Sequence, residues 1–129
     1  MTEHPNVATL RRMGEAWNSG DLDAVKEGFA DDAVFHFPGN NALSGTYRGQ
    51  EAVMDALGRA LQSSGLHAEM ETILASDDHI LAFYRVTSAR PGKTLDVVEA
   101  VASKVNAEGQ ITEGWFLVND QRSWDQFWS

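Results

Sequence analysis

The sequence contains no cysteine, which excludes disulfides, a catalytic thiol and zinc sites built on thiolates. Positive charge is scarce as well: 10 Lys and Arg stand against 19 Asp and Glu, for a formal net charge of −9. A nucleic-acid face needs clustered Lys and Arg to displace counterions, so nucleic acid is excluded as a partner. No apolar run approaches the roughly 20 residues of a membrane span. Met1 to Asn6 shows no basic region leading into an apolar run, so no signal peptide is expected. A soluble, cytoplasmic protein without a membrane partner is the expectation. His4, His36, His67 and His79 never fall at metal-ligand spacing, so no metal is expected. Ser44 lacks the Gly-x-Ser-x-Gly elbow, and no glycine pattern resembles a phosphate or dinucleotide loop, so no cofactor is expected either.

What is present is ordinary for a globular chain, with 43% apolar and 22% charged residues. A length of 129 residues predicts one domain, residues 1–129, with a single core. Pro5 suits the first turn of a helix whose apolar stripe is Val7, Leu10, Gly14 and Trp17, ended by Gly20. Asp21 caps a second helix that buries Leu22, Val25 and Phe29. Residues 33–37 read as a strand, and residues 43–48 as a short extended piece. Residues 50–62 read as a helix with Val53, Leu57 and Leu61 on one face, closed by Ser63-Ser64-Gly65. From Leu66 onward, four runs rich in Val, Ile, Thr, Phe and Tyr are separated by breakers at 76–78, 90–93 and 106–109. That spacing predicts an antiparallel meander. Asn119 and Asp120 stop the last run, and Trp124, Phe127 and Trp128 then fall like one face of a short helix.

Helices first and long strands last is the α+β pattern. The expected fold is three helices packed on the concave face of a strongly curved, mainly antiparallel sheet, enclosing a cone-shaped pocket. Expected lining residues are Trp17, Phe29, Phe35 or Phe37, Met54, Leu57, Phe83, Val101 and Phe116.

Two sets of residues carry a family resemblance. Ala16-Trp17-Asn18-Ser19-Gly20-Asp21-Leu22-Asp23, followed by Phe29-Ala30-Asp31-Asp32-Ala33-Val34, resembles the opening of the nuclear-transport-factor-2-like superfamily. Residues 35–39, 43–53 and 113–121 are similar to its SnoaL-like, polyketide cyclase-like branch. The resemblance implies a fold that hosts isomerases, cyclases, dehydratases, epoxide hydrolases and non-enzymatic proteins alike. The ketosteroid isomerases share its landmarks, but their Tyr and two Asp positions fall on Met13, Phe37 and near Val101. None of these moves a proton, so the Tyr/Asp/Asp mechanism is excluded. The SnoaL-like cyclases are thought to use an aspartate near the end of the last strand, and Asp120 sits in the matching place.

Asp120 and His36 are therefore the candidate catalytic residues. A cavity carboxylate has its pKa raised toward a value useful for taking an activated C–H proton. The plainer reading of Asp120 is a turn aspartate capping the C-terminal helix. If Phe35 and Phe37 face inward, alternation sends His36 to the other face unless a bulge intervenes. Candidate substrate-binding residues are Trp17, Phe37, Met54, Tyr84, Glu99, Val101, Trp115 and Phe116. Tyr84 offers an O–H to a carbonyl, and strand parity is against Trp115 and Asp120 both lying inside. Glu99 shares parity with Val97 and Val101, and Arg85 is its expected partner as a structural pair; a polar cavity group is the alternative. Exposed strand faces carrying Val, Ala and Leu predict a homodimer through the outer sheet face.

Three functions fit. The first is a cofactor-independent acid/base enzyme of isomerase, cyclase, dehydratase or epoxide hydrolase type, acting on a small apolar carbonyl- or epoxide-bearing metabolite. The second is a small-molecule binding module without chemistry. The third is a structural dimer whose cavity is filled by its own aromatics.

Overall fold

The computed structural model describes residues 3–64 and 67–129; Gly65 and Leu66, assigned above to a helix end and a strand start, lie outside the described residues. Helix α1 spans Pro5–Ser19, begins on proline, and has its first turn closed by His4, whose Nδ1 accepts from the Asn6 N–H at 3.1 Å. Gly20, at φ 77°, turns its N–H back to the carbonyls of Ala16 and Trp17, a geometry a β-carbon would strain. Asp21 caps α2, Leu22–Lys26. Strand β1, Phe29–Phe37, starts at Phe29, earlier than the alternation predicts, and β2 is Gly45–Arg48. Helix α3 covers Gln50–Ser64 and buries Val53, Ala56, Leu57 and Ala60. Strands β3, His67–Ala75, β4, His79–Arg90, β5, Lys93–Val105, and β6, Ile111–Val118, form the meander, and α4, Gln121–Phe127, follows. The α+β class and the curved sheet agree with the sequence expectation, and the short helix expected after Asp120 forms as α4 beside the other three.

The six strands run in the order β2-β1-β6-β5-β4-β3. Each neighbouring pair is antiparallel except β1 with β6, which lie parallel. This joins the first strand to the last and closes the near side of the inner face. Alternation assigns the faces: Ile80, Ala82, Tyr84 and Val86 point inward from β4, and Leu95, Val97, Glu99 and Val101 from β5. Gly114 on β6 lies opposite Phe35, where a β-carbon would come within 2.5 Å of the Phe35 ring. Glycine there lets the Phe35 ring lie flat on the sheet.

Buried apolar side chains form one cluster under α1, α2 and α3, with Leu10, Val25, Phe29, Phe35, Val53 and Leu57. A second gathers Leu43, Ala60, Val86, Val97, Trp124, Phe127 and Trp128 under α4. Burying side chains of this size contributes about 1.5–3 kcal/mol each. The outer face differs. Leu74, Phe83, Val98 and Leu117 are the large apolar residues left exposed, Leu117 at 55%, and Phe83, Ala100 and Leu117 line up across three strands. Phe83 thus belongs to the outside and not to the pocket, because it alternates with inward Ala82 and Tyr84. Among the described residues, no helix is long and apolar enough to cross a membrane.

Candidate functional site

Between the inner sheet face and the helices lies a pocket with a cavity volume of about 120 Å³. Its wall takes Leu10, Met13 and Trp17 from α1, Phe35 and Phe37 from β1, Leu57 and Ala60 from α3, and Trp124 from α4. Phe37 and Phe116 stack with centroids 4.6 Å apart, and Phe35 packs against both. Aromatic rings held edge and face in this way make a stiff wall.

Two titratable side chains line this wall, Tyr84 and Glu99, and they sit directly across from each other on β4 and β5. Glu99 is 6% exposed, and among the described residues no side chain or backbone group hydrogen-bonds it. Strand alternation explains its position: Val97 and Val101 point into the core, so Glu99 between them must do so too. Burial alone pushes its carboxyl from 4.5 up to about 8, so the group is mostly protonated at neutral pH. Burial, and then the charge of Glu99 when ionised, holds the Tyr84 phenol above its ordinary range. A carboxyl without compensation in an apolar hollow is the arrangement that tunes an acid toward proton transfer near neutrality.

Of the residues singled out from sequence, Trp17, Phe37, Tyr84, Glu99, Val101 and Phe116 meet in this pocket, with Phe29, Phe35 and Leu57. The others do not. Asp120 is a correction: it is exposed and caps α4, accepting from the Ser123 N–H at 3.1 Å and the Ser123 hydroxyl at 2.7 Å. Those bonds, the hydroxyl first, hold its carboxyl below the usual value, the opposite of what a cavity base needs. The strand ends at Val118, and the chain turns outward before Asp120.

His36 is the second correction. The irregularity in β1 falls between Phe29 and Val34, so alternation holds from 35 to 37 and His36 faces the outside of the sheet. Its Nδ1 lies 2.9 Å from Thr46 Oγ1, its Nε2 lies 2.8 Å from Glu113 Oε2, and its ring stacks on Trp115. Trp115 shares that parity and is outside as well. Met54 lies in a surface groove with Leu22, Lys26 and Arg59, because α3 turns Val53 and Leu57 inward instead. The expected Glu99–Arg85 pair does not form. Arg85 points outward and makes a two-pronged contact with Asp96, at 3.0 and 2.7 Å.

Sequence reasoning did not place Trp124 in the pocket. Its spacing with Phe127 and Trp128 signals a helix face, but not which hollow that face covers. The indole N–H groups of Trp124 and Trp128 are buried without a hydrogen-bond partner, while Arg90 and Lys93 tie the carbonyls of Phe127, Gln126 and Ser129 to the sheet. Among the described residues, no three His, Asp or Glu side chains converge as a metal-ligand set.

Comparison with known proteins agrees with this architecture. Uncharacterized protein Rv0034 of Mycobacterium tuberculosis is 33% identical over the full length of both chains. The structure of Bal32a, from a soil-derived mobile gene cassette, superposes with a TM-score of 0.90 at 33% identity, covering 96% of each chain. IdmH, a candidate polyketide cyclase from Streptomyces antibioticus, superposes with a TM-score of 0.76 at 25% identity, covering 90% of this chain and 93% of IdmH. Residues 10–114 match the SnoaL-like domain. A pocket built from helices against a curved sheet, together with a match over most of its length, makes this chain a member of the SnoaL-like domain family on the nuclear-transport-factor-2-like fold.

Proposed function

We propose that this protein is a cofactor-independent acid/base enzyme that rearranges a small, apolar carbonyl compound, with Glu99 as the proton carrier. One observation carries the reading: the apolar pocket is lined by a single carboxyl, and that carboxyl has no hydrogen-bond partner among the described residues. Asp120 and His36 have no part in the chemistry.

A single proton carrier restricts the reaction. In isomerisation, Glu99 as carboxylate takes a proton from the carbon beside the carbonyl, and the C–H electrons move into the enolate. Tyr84 donates a hydrogen bond to the enolate oxygen, and Glu99 returns the proton at another carbon. In aldol-type cyclisation the enolate attacks a second carbonyl, and Glu99 delivers the proton to the new alkoxide. Both end with Glu99 as it began. Dehydration of a β-hydroxy carbonyl compound balances in the same way, Glu99 passing the proton it took from carbon to the departing hydroxyl, which leaves as water. The likeness to IdmH supports the cyclase branch of this reading.

The test needs no knowledge of the natural substrate. Deuterium exchange at the carbon beside the carbonyl of 2-tetralone, followed by NMR, reports proton abstraction directly. The protein should accelerate exchange, with a rate rising with pH and levelling above about 8, where Glu99 is ionised. Glu99→Gln should remove about 10²–10⁴-fold of that acceleration, and Tyr84→Phe a smaller part. Exchange in Glu99→Gln equal to that of the native protein removes Glu99 from the mechanism. Saturable binding with no exchange in either protein assigns a binding module instead.

We also infer that the outer sheet face pairs with a second copy of the chain. Phe83, Val98 and Leu117 are exposed there. Charged side chains border them: Arg85 pairs with Asp96 at 2.7 Å and Lys104 with Glu113 at 4.0 Å, and the carboxylates of Glu69 and Glu71 stand near Arg85 as well.

A further inference from the structure

Glu99 is buried, lines the pocket and touches no donor among the described residues. Around it the wall presents the rings of Trp17, Phe37, Tyr84, Phe116 and Trp124. Among the described residues, no Lys, Arg or His reaches this wall. The electrostatic character of the hollow is therefore of one sign: one carboxyl group and a set of ring faces, each negative at its centre. An anionic ligand meets repulsion from the carboxylate, with the Tyr84 hydroxyl as a donor but no cationic side chain among the described residues to offset it. A neutral ligand leaves the carboxyl protonated and draws no electrostatic attraction from it. A cation with an apolar body is matched twice, by the carboxylate as counter-ion and by the rings as cation–π partners.

We propose that the pocket binds small lipophilic organic cations, alkyl- or arylammonium compounds, with Glu99 as counter-ion and the aromatic walls around the substituents. The proposal goes beyond the proton-carrier reading: it rests on the enclosure and isolation of Glu99, and not on catalysis. Such compounds would occupy the site in place of a carbonyl substrate and block it.

The binding step has a defined proton balance. Glu99 enters the reaction as the carboxylic acid and leaves it as the carboxylate paired with the cation, so its proton goes to solvent. Among the described residues, Tyr84, from β4, is the one other titratable group lining the pocket with Glu99; those of α1, α2, β1, α3, β3, β6 and α4 contribute none to the wall. The phenol, held above its ordinary range, stays protonated throughout. Binding of a permanently charged cation must therefore release about one proton per site at neutral pH and tighten about tenfold per pH unit until Glu99 is ionised.

The experiment uses the full chain and two probes of nearly the same shape, phenyltrimethylammonium and the uncharged tert-butylbenzene. Titration calorimetry in two buffers of different ionisation enthalpy counts the protons released, and repeating it across pH gives the slope. The expected result is saturable binding of phenyltrimethylammonium with release of about one proton, and at least about tenfold weaker binding to Glu99→Gln. A thermal shift of the variant by tert-butylbenzene shows that its pocket is still formed; the proton count on the native protein needs no variant. Cation binding without proton release, or with equal affinity for Glu99→Gln, overturns the proposal. Binding of tert-butylbenzene alone overturns it too and leaves the proton-carrier reading standing. Binding of neither probe overturns it as well, and 2-tetralone exchange decides the proton-carrier reading separately.

Discussion

Glutamine in place of Glu99 keeps the shape of the side chain and removes its titration, so Glu99→Gln isolates what burial does to the carboxyl. The ordinary value is 4.5, and burial pushes Glu99 up to about 8. The unfolded chain ionises this group near the ordinary value, while the folded chain holds the proton until the pH nears 8. Between those values the folded state binds more protons than the unfolded one, so stability falls as pH rises. The contribution is fully present below the unfolded value, declines by about 1.4 kcal/mol per pH unit across the window, and is gone above the folded value. The whole swing is on the order of 5 kcal/mol, a large fraction of what keeps a small domain folded. Urea unfolding of both proteins, followed by tryptophan fluorescence at equal protomer concentration, gives stability at each pH. Subtracting one profile from the other cancels every titration except that of residue 99. The variant should gain steadily on the native protein from about pH 5 to about pH 8 and hold its advantage beyond. A difference that stays level within about 0.5 kcal/mol over that range refutes the claim that Glu99 is buried without a partner.

Other substitutions test other parts of the structure. Asp120→Ala removes the cap of α4 and should cost about 1 kcal/mol of stability, with 2-tetralone exchange unchanged in the same NMR assay. Gly114→Ala places a β-carbon against the Phe35 ring and should cost about 1–3 kcal/mol by overpacking, read as a lowered melting temperature. Leu117→Lys puts a charge at the β6 end of the apolar line on the outer face and should convert the proposed dimer to a monomer in sedimentation velocity while the fold, judged by circular dichroism, persists.

Much of the architecture is legible in the residues because local rules decide it. Pro5, Gly20, Asp21 and the breakers at 76–78, 90–93 and 106–109 set where helices and strands stop, and alternation along 95–101 alone turns Glu99 inward. Less of the site is legible, for reasons that are physical. Which residue meets Glu99 depends on the register between β4 and β5, and a shift of one position exchanges Arg85 for Tyr84. The two readings of Asp120 differ only in whether the chain bends before or after it. In the structure Ser123, three residues on, supplies both donors that hold Asp120 as a cap. His36 shows the reverse: alternation already pointed it outward, and the structure supplied no bulge at 35–37 to override that.

The parallel pairing of β1 with β6 has a consequence for how the molecule comes into being. The ribosome delivers residues 29–48 early, yet β1 and β2 join the rest of the sheet only through β6. Until residues 111–118 emerge, Phe35 and Phe37 have no floor to settle on, and the hollow lacks one side. Nucleating such a contact closes a loop of roughly 80 residues, an entropic toll that slows folding. A chain stalled before its last strand would therefore display those phenylalanines to whatever chaperone is at hand.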